Sequence, residues 1–511
     1  MGRKILFITT DQMRYDALGC NGGHVARTPN VDALATAGIR YERAHGQSVV
    51  CMPARSSMIT GQHVSTHGVW MNGVPLPADA PSVARHLQEH AGYRTALIGK
   101  AHFEPHLDPN REFYENQMVR RGEHGPHRGF DYMELATHSA HGLHYGQWLR
   151  AEHPGSHAGF YENLQSDLRM NDAVGGDTGA IQVCHNPIAR EHYHTDWVAD
   201  RTIAYLDSLE PDDDFFVWMS FPDPHHPWDP PASERGRVQW RELDAPAGYP
   251  GSREACERIL ANKPRQYLDY FTGRNVSNME APARFAPASL GVDQLREIEA
   301  LVHIENELID DACGRVLGHI AERGWAEDTD VLFTTDHGEL QGDLGLLFKG
   351  PYHVDALMRL PLVWRPAPRV AQAPAVVRAP VGQIDLAPTF CEIADVPAPD
   401  WMEGRALPRD SAEAQTQGRR RTFTQWDSDF GGDRMHLRTI YRDGWVCTRY
   451  LPGTVHDGSE GELYALGDDP LQHRNLWDEP AHRATRDALV EELQQHGPPE
   501  PTTRRPPVAN V

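Results

Sequence analysis

The chain contains 511 residues, of which 40% are hydrophobic and 24% are charged, and its formal net charge at pH 7 is −23. This composition is that of a globular protein rather than a disordered one, and the length predicts more than one packed unit. The negative charge argues against a nucleic-acid partner, because a basic binding face would have to form against the field of the whole protein. An anionic small molecule is not excluded, since it responds to the local field of a pocket.

Two features predict a cytoplasmic protein that is not bound to a membrane. The amino terminus leads directly into a strand, without the apolar segment and cleavage site of a signal peptide, and no later stretch is apolar enough to span a bilayer. The 7 cysteines are odd in number, scattered and free of C-x-x-C spacing, which argues against a disulfide framework and against a structural zinc site.

The chain begins with a predicted β-α unit. The run Lys4 to Thr10 is largely apolar and β-branched, as in a strand that is buried on both faces. Pro29 to Ala37 is predicted to form a helix, with Thr28 as its N-cap and Gly38 as its end.

The next segment, Ser48 to Gly61, reads S-V-V-C-M-P-A-R-S-S-M-I-T-G and predicts a helix that starts close to Cys51. Pro53 suits the first turn, so Cys51 would lie at the positive end of the helix dipole, where a thiolate or an oxyanion is stabilised. Arg55, one turn further along, can direct its guanidinium back toward residue 51. An ordinary buried cysteine beside a helix start is the alternative.

Beyond this helix, another is predicted at Ser82 to Ala91 and a buried strand at Thr95 to Gly99. The periodicity then weakens from Phe103 to His194, where Gly, Pro, Asp and His dominate, as is typical of excursions around a site. Three histidines of this segment could line a pocket or hold a second metal, although a solvated loop is the favoured interpretation: His138, His141 and His144.

Regular patterns return after this segment, apart from a second irregular stretch between Pro230 and Leu290. The apolar spacing predicts helices at Thr195 to Leu209, Asp293 to Arg323 and Ala387 to Ala394, and buried strands at Asp214 to Ser220, Asp330 to Thr335 and Pro361 to Trp364.

Four of the predicted strands are followed directly by polar residues. In parallel α/β sheets, ligands gather at the carboxyl ends of the strands, so these polar residues are expected to converge on one crevice. The four clusters are Asp11-Gln12, Lys100-x-His102, His225-His226 and Asp336-His337.

Past residue 397 the pattern changes to short strands, with Asp443-Gly444 as a hairpin turn and a helix at His482 to Gln495. We therefore expect an α/β domain of residues 1–397, a smaller α+β domain of residues 398–497 and a disordered, Pro-rich tail of residues 498–511. The predicted strands are Arg421 to Gln425, Leu437 to Arg442, Trp445 to Leu451 and Glu462 to Ala465.

The pattern of Cys51, Pro53 and Arg55, followed by Thr60-Gly61, resembles the signature of the type I sulfatases of the alkaline phosphatase superfamily. The resemblance implies an alkaline-phosphatase-like fold, in which helices flank a central, mostly parallel sheet, with a smaller C-terminal α+β domain. It also implies that a maturation enzyme oxidises the cysteine to formylglycine, an aldehyde whose hydrate is the nucleophile.

The same resemblance implies one divalent metal ion, Ca²⁺ or Mn²⁺. Its ligands would be Asp11, Gln12, Asp336 and His337, together with the modified residue 51. Carboxylate oxygens suit a hard cation, and the nitrogen ligand favours Mn²⁺ somewhat. A strand-to-turn cap is the alternative interpretation of the Asp336-His337-Gly338 stretch.

Four further residues match catalytic positions of the family: Lys100, His102, His225 and Lys349. The resemblance implies that the hydrated aldehyde attacks sulfur while His225 and Lys349 assist departure of the alcohol. A proton passing to His102 would then accompany release of sulfate, and Arg55 and Lys100 would hold the hydrate.

The substrate is accordingly expected to be a small-molecule sulfate ester. The resemblance also makes this protein a possible homo-oligomer.

The rival enzyme class is a phosphonate monoester or phosphodiester hydrolase. In those enzymes an asparagine at the position of Asn72 contacts the substrate; the alternative interpretation of Asn72 is a turn residue before Gly73. His226 could contact the leaving group. A catalytically silent binding protein is the rival outside enzymes.

Overall fold

The structure, a computed structural model, describes residues 2–106, 113–140, 142–164, 174–274, 285–430, 432–501 and 503–508. In this part of the chain, no helix is both long and apolar enough to cross a bilayer. The helices are α1 Pro29–Ala37, α2 Cys51–Thr60, α3 Val64–His67, α4 Val83–Ala91, α5 Tyr114–Arg120, α6 Leu143–Glu152, α7 Pro154–Leu164, α8 His194–Asp207, α9 Arg253–Leu260, α10 Gln266–Phe271, α11 Val292–Glu322, α12 Asp355–Met358, α13 Leu386–Ile393, α14 Ser411–Gln417 and α15 Arg483–His496. The strands are β1 Lys4–Thr10, β2 Ile39–Tyr41, β3 Ala44–His45, β4 Arg94–Gly99, β5 Tyr132–Leu135, β6 Val174–Gly175, β7 Ala180–Ile181, β8 Phe215–Ser220, β9 Thr329–Thr335, β10 Arg359–Leu360, β11 Leu362–Arg365, β12 Ala375–Val377, β13 Val381–Gly382, β14 Arg421–Phe430, β15 Asp433–Arg442, β16 Trp445–Leu451 and β17 Gly461–Ala465.

The central sheet has eight strands in the order β12-β2-β11-β9-β1-β8-β4-β5. The four strands predicted to end in polar clusters are neighbours: β1 runs parallel to β8 and β9, and β4 runs parallel to β8. Strand β11 is antiparallel to β9, so the sheet is mixed. The predicted α/β fold is therefore confirmed, and the carboxyl ends of β1, β4, β8 and β9 meet at one edge.

Strand β1 is buried along its whole length because helices cover both faces of the sheet. Leu6 and Ile8 belong to one hydrophobic cluster, whereas Ile5 and Phe7 belong to the cluster on the opposite face. Alternate side chains of a strand point to opposite faces, so a strand in this position is largely apolar on both of them.

The predicted bounds of α1 are confirmed, and Thr28 is at the N-cap position, but its side chain does not cap the helix. Thr28 Oγ1 accepts a hydrogen bond from the amide of Gly19 at 3.0 Å and makes no bond to the first turn of α1. The carboxylate of Asp310, in α11, accepts instead from the amides of Asn30 at 3.1 Å and Val31 at 2.9 Å. The carboxylate of Asp310, which is distant in sequence, thus accepts the hydrogen bonds that an N-cap side chain would otherwise accept.

The segment 103–194 contains more regular structure than its weak periodicity predicts. Strand β5 pairs in parallel with β4 and extends the central sheet, and α5 and α6 also lie in this segment. The second irregular stretch contains α9 and α10. These elements are short, so each offers too few residues for a hydrophobic period to stand out.

The predicted antiparallel C-terminal sheet is confirmed, with the order β14-β15-β16-β17 and the β15–β16 hairpin turning at Asp443-Gly444. Ile440 and Cys447 pack on one face against Leu489 and Leu493 of α15. The opposite face joins the core of the larger domain, because Leu437 belongs to the same hydrophobic cluster as the α11 residues.

The carboxyl-terminal residues make specific contacts with the segment that follows α3. Trp70 Nε1 donates to the carbonyl of Arg505 at 2.8 Å, and Arg505 Nη1 donates to the carbonyl of Pro75 at 2.8 Å. The amide of Val508 donates to Gly73 at 2.9 Å. Arg505 and Val508 thus lie against residues 70–75, and a disordered tail of residues 498–511 stays a prediction.

Candidate active site

Helix α2 begins at Cys51 and is buried throughout its ten residues. The side-chain oxygen of Asn72 accepts from the amide of Met52 at 3.1 Å, so Asn72 caps the helix that carries Cys51. Burial and the nearby carboxylate of Asp11 raise the pKa of the Cys51 thiol. Burial and the charge of Asp11 thus oppose the thiolate that the start of a helix would favour, and the stabilisation of an anion at residue 51 stays a prediction.

Four buried side chains converge at the edge where β1 and β9 end: Asp11, Cys51, Asp336 and His337. Their potential ligand atoms all lie within 4.8 Å of one another. The Cys51 sulfur is 3.1 Å from Nε2 of His337 and 3.6 Å from Oδ1 of Asp11. The predicted meeting of residue 51 with the two strand-end carboxylates is thus present in the fold.

The hydrogen bonding of His337 makes this cluster suitable for a cation. Its Nδ1 lies 2.9 Å from the carbonyl of Gly338 and must donate, so the lone pair of Nε2 faces the cluster. That nitrogen is 3.7 Å from Oδ1 of Asp11 and 3.8 Å from Oδ1 of Asp336. Acceptor atoms that face one another inside a protein repel unless a cation lies between them, and this donor set fits the divalent metal that the resemblance implies.

Arg55 and Lys100 pair with the two carboxylates rather than with residue 51. Arg55 Nε donates to Asp336 at 2.9 Å, and its Nη1 donates to the carbonyl of Lys100 at 2.6 Å and to Ser220 Oγ at 2.8 Å. The Lys100 ammonium contacts the carboxylate of Asp11. Although burial opposes ionisation, the charge of Lys100 holds the pKa of Asp11 well below its usual range, so the carboxylate is anionic.

Lys349 lies between Gln12 and His225. Its Nζ donates to Oε1 of Gln12 at 2.6 Å and to Nε2 of His225 at 3.0 Å. Nδ1 of His225 is 2.5 Å from the carbonyl of His226, so Nδ1 carries the proton and Nε2 is the acceptor. Burial, reinforced by the charge of Lys349, lowers the pKa of His225. The ammonium of Lys349 is consequently the proton-bearing group of this pair.

Both polar atoms of the Gln12 side chain form hydrogen bonds. Its oxygen accepts from Lys349, while its nitrogen donates to Glu339 and lies 3.3 Å from Nδ1 of His226. Gln12 as a metal ligand and His226 as a substrate contact stay predictions. Asn72 has a defined structural role as a cap, and its contact with substrate likewise stays a prediction.

His102 lies beside the site on the loop after β4 and is 3% exposed. Neither ring nitrogen of His102 has a hydrogen-bond partner within the described residues. Burial and the charge of Lys100 lower its pKa well below the usual value. The ring is therefore neutral at neutral pH and able to accept a proton.

The interpretation of the histidine-rich stretch as a solvated loop is wrong for His138 and His144. His138 stacks on His225, with ring centroids 4.5 Å apart, and so borders the site. His144 accepts from the amide of Leu135 at 2.9 Å and contacts the carbonyl of Glu123 at 3.0 Å, which makes it a structural residue. His141 falls outside the described residues.

Sequence reasoning missed two further residues at the site. Glu339 accepts from Gln12, and Ser220 accepts from Arg55. Glu339 follows the Asp336-His337-Gly338 stretch directly, so its position after a strand end could have identified it as a site residue. Ser220 gives no local signal, because only the pairing of β8 with β1 and β4 brings it to Arg55.

The mostly parallel sheet with helices on both faces, together with the separate antiparallel C-terminal sheet, is an alkaline-phosphatase-like fold. The fold is similar to that of the phosphonate monoester hydrolase of Agrobacterium radiobacter, with a TM-score of 0.77, 23% identity and coverage of 96% of this chain and 95% of that one. The family model for sulfatases matches residues 3–396, and the model for the C-terminal part of N-sulphoglucosamine sulphohydrolase matches residues 343–497. The chain therefore belongs to the sulfatase family and is a sulfuric ester hydrolase.

Two curated relatives illustrate this membership. The chain is 27% identical over 505 residues to an arylsulfatase of Clostridium perfringens, covering 97% of this chain and 95% of the relative. It is 27% identical over 478 residues to an uncharacterized sulfatase, YidJ, of Escherichia coli, covering 93% of this chain and 83% of the relative.

Proposed function

We propose that this protein hydrolyses the sulfate monoester of a small molecule at the site formed by residues 11, 51, 336 and 337. The observation that carries the proposal is the convergence of Cys51 with two buried carboxylates and an imidazole lone pair. Formylglycine made from Cys51 by a maturation enzyme supplies the nucleophile, and a divalent cation supplies positive charge for the ester.

The charges around the site support an anionic substrate. Asp11, Asp336 and Glu339 are balanced by Arg55, Lys100 and Lys349. A divalent cation held by Asp11, Asp336 and His337 would therefore add positive charge to the pocket, which attracts a sulfate group. Ca²⁺ and Mn²⁺ both fit the carboxylates, and the nitrogen of His337 favours Mn²⁺.

The surrounding side chains have distinct roles in this proposal. Arg55 and Lys100 hold the two carboxylates in place and add positive charge near the sulfate oxygens. Lys349 donates a proton toward the departing alcohol, and His225 orients its ammonium through the 3.0 Å hydrogen bond. His102, with both ring nitrogens unpartnered among the described residues, accepts a proton when the enzyme is regenerated.

A phosphonate monoester or phosphodiester hydrolase is the second candidate, favoured by the fold similarity to phosphonate monoester hydrolases. An aryl sulfate and an aryl phosphonate with the same leaving group should be assayed in parallel with one enzyme preparation. We expect the larger kcat/KM with the sulfate. A large preference for the phosphonate would reverse the order of the two candidates.

Replacing Lys349 with methionine is expected to lower kcat by about 10²- to 10³-fold for substrates with poor leaving groups, because a proton donor is lost. The effect should shrink as the leaving group becomes more acidic, since such an alcohol departs without a proton. Steady-state kinetics with a series of aryl sulfates measures this dependence.

The matched control is Lys263→Met, which also removes a buried lysine but one that bonds to Tyr464 and Gln472. We expect this variant to keep the dependence of the wild-type enzyme on the leaving group. A uniform loss across the series for Lys349→Met would contradict proton donation.

A further inference from the structure

A second group of potential metal ligands shares no residue with the active site. Glu104 lies on the loop after β4, Glu115 in α5, and His127 in the turn before β5. Their ligand atoms lie within 4.8 Å of one another. Glu104 and Glu115 are 5% and 1% exposed, and the side chain of His127 is 9% exposed. The cluster therefore lies inside the protein although its members come from three separate segments.

The carboxylates of this cluster are incompletely neutralised. Arg128 Nη2 donates to Glu104 at 3.0 Å, and the same guanidinium also donates to the carbonyls of Leu76 and Pro77, each at 2.7 Å. Within the described part of the chain, Glu115 has no ion pair with a basic side chain.

His127 supplies an independent indication of a ligand. Its Nε2 is buried and, among the described residues, has no hydrogen-bond partner; the nearest carboxylate oxygen, Oε1 of Glu104, is 3.8 Å away. Burial, aided by Arg128, lowers the pKa of His127 to about 3, so the ring is neutral at neutral pH. The ring is also held against Tyr114, with centroids 4.7 Å apart.

The cluster therefore brings two carboxylates together with one guanidinium, and no hydrogen bond joins Nε2 of His127 to Glu104 or Glu115. A cation between the three side chains would balance the carboxylates and bind Nε2 at once. Two carboxylates and an imidazole suit a divalent transition metal, whereas Mg²⁺ and Ca²⁺ prefer oxygen ligands alone.

We propose that Glu104, Glu115 and His127 bind a second divalent cation of the Zn²⁺ or Mn²⁺ type, separate from the ion of the active site. This cation would tie α5 and the turn before β5 to the loop after β4. Because Glu104 is two residues from His102, the cation would also hold the loop that carries His102.

The test is the metal content of the full-length protein after dialysis against Zn²⁺ alone or Mn²⁺ alone, measured by plasma mass spectrometry. We expect two equivalents per chain in the wild type with at least one of these metals. Glu115→Gln and His127→Gln should each retain one equivalent. Asp336→Asn, which removes a candidate ligand of the active site, should also retain one.

The control is Glu134→Gln, which changes a partly buried glutamate of β5 that bonds to Tyr132. It should keep two equivalents. Circular dichroism and the equivalent retained at the active site establish that the variants are folded. The proposal is overturned if the wild type binds one equivalent with both metals, or if Glu115→Gln and His127→Gln keep two.

The result of this metal-binding experiment does not depend on whether the protein hydrolyses sulfate esters. An enzyme that cleaves sulfate esters with a single equivalent of metal would refute the second site alone. A protein with two equivalents and no sulfatase activity would refute the proposed function alone.

Discussion

Replacing Cys51 with alanine is expected to lower kcat/KM for an aryl sulfate by at least about 10⁴-fold, because the residue that provides the nucleophile is lost. Arg55, Lys100 and Lys349 would remain, so weak binding of the substrate should persist. Steady-state kinetics, together with a binding measurement on the inactive variant, would separate the two effects.

Cys447→Ala is the matched control, because Cys447 is also fully buried but lies in the C-terminal sheet. This variant should keep its activity and lose some stability through the cavity that it creates. Mass spectrometry of the Cys51 peptide from the native host should show an aldehyde. An unmodified thiol there, together with no hydrolytic activity of the wild-type protein, would instead support the catalytically silent binding protein.

Replacing Asp336 with asparagine is expected to lower kcat/KM by more than about 10³-fold and to reduce binding of the active-site metal. The change removes a candidate ligand charge and leaves Arg55 buried without its carboxylate partner. Breaking a buried ion pair in this way costs about 3–5 kcal/mol in the free energy of unfolding. Metal analysis, kinetics and thermal unfolding of the same preparation measure the three effects.

Asp330→Asn provides a closely matched control for this prediction. Asp330 lies on the same strand, β9, is also buried and also pairs with an arginine, Arg3, but it lies at the amino end of the strand. We expect a loss of stability without loss of metal or catalysis. If both variants lost activity in proportion to their loss of stability, Asp336 would have no role in metal binding or catalysis beyond its contribution to stability.

The main elements and the location of the site could be predicted because their signals are local. A strand buried on both faces is largely apolar, so β1, β4, β8 and β9 are easily recognised. The polar residues after them mark one edge of a parallel sheet. Short elements such as β5, α9 and α10 were missed, since few residues give no clear period.

The partners of the site residues could not be predicted, because they come from distant parts of the chain. Arg55 was expected to reach toward residue 51, but it bonds to Asp336 and to Ser220, which are far from it in sequence. Burial and Asp11, which is 40 residues away in the sequence, raise the pKa of Cys51. His138 meets His225 only through the packing of a loop whose composition suggested solvent.

The sequence by itself determined the fold class, the cysteine that we propose as the source of the nucleophile and the polar strand ends that surround it, since these depend on residue type and spacing along one segment. Tertiary structure alone decided which atoms face one another: the lone pair of His337 toward two carboxylates, Lys349 toward His225, and His127 toward two glutamates. Distances and desolvation depend on residues that are neighbours in space but not in sequence, and the chain's charges acquire their chemical roles from those contacts.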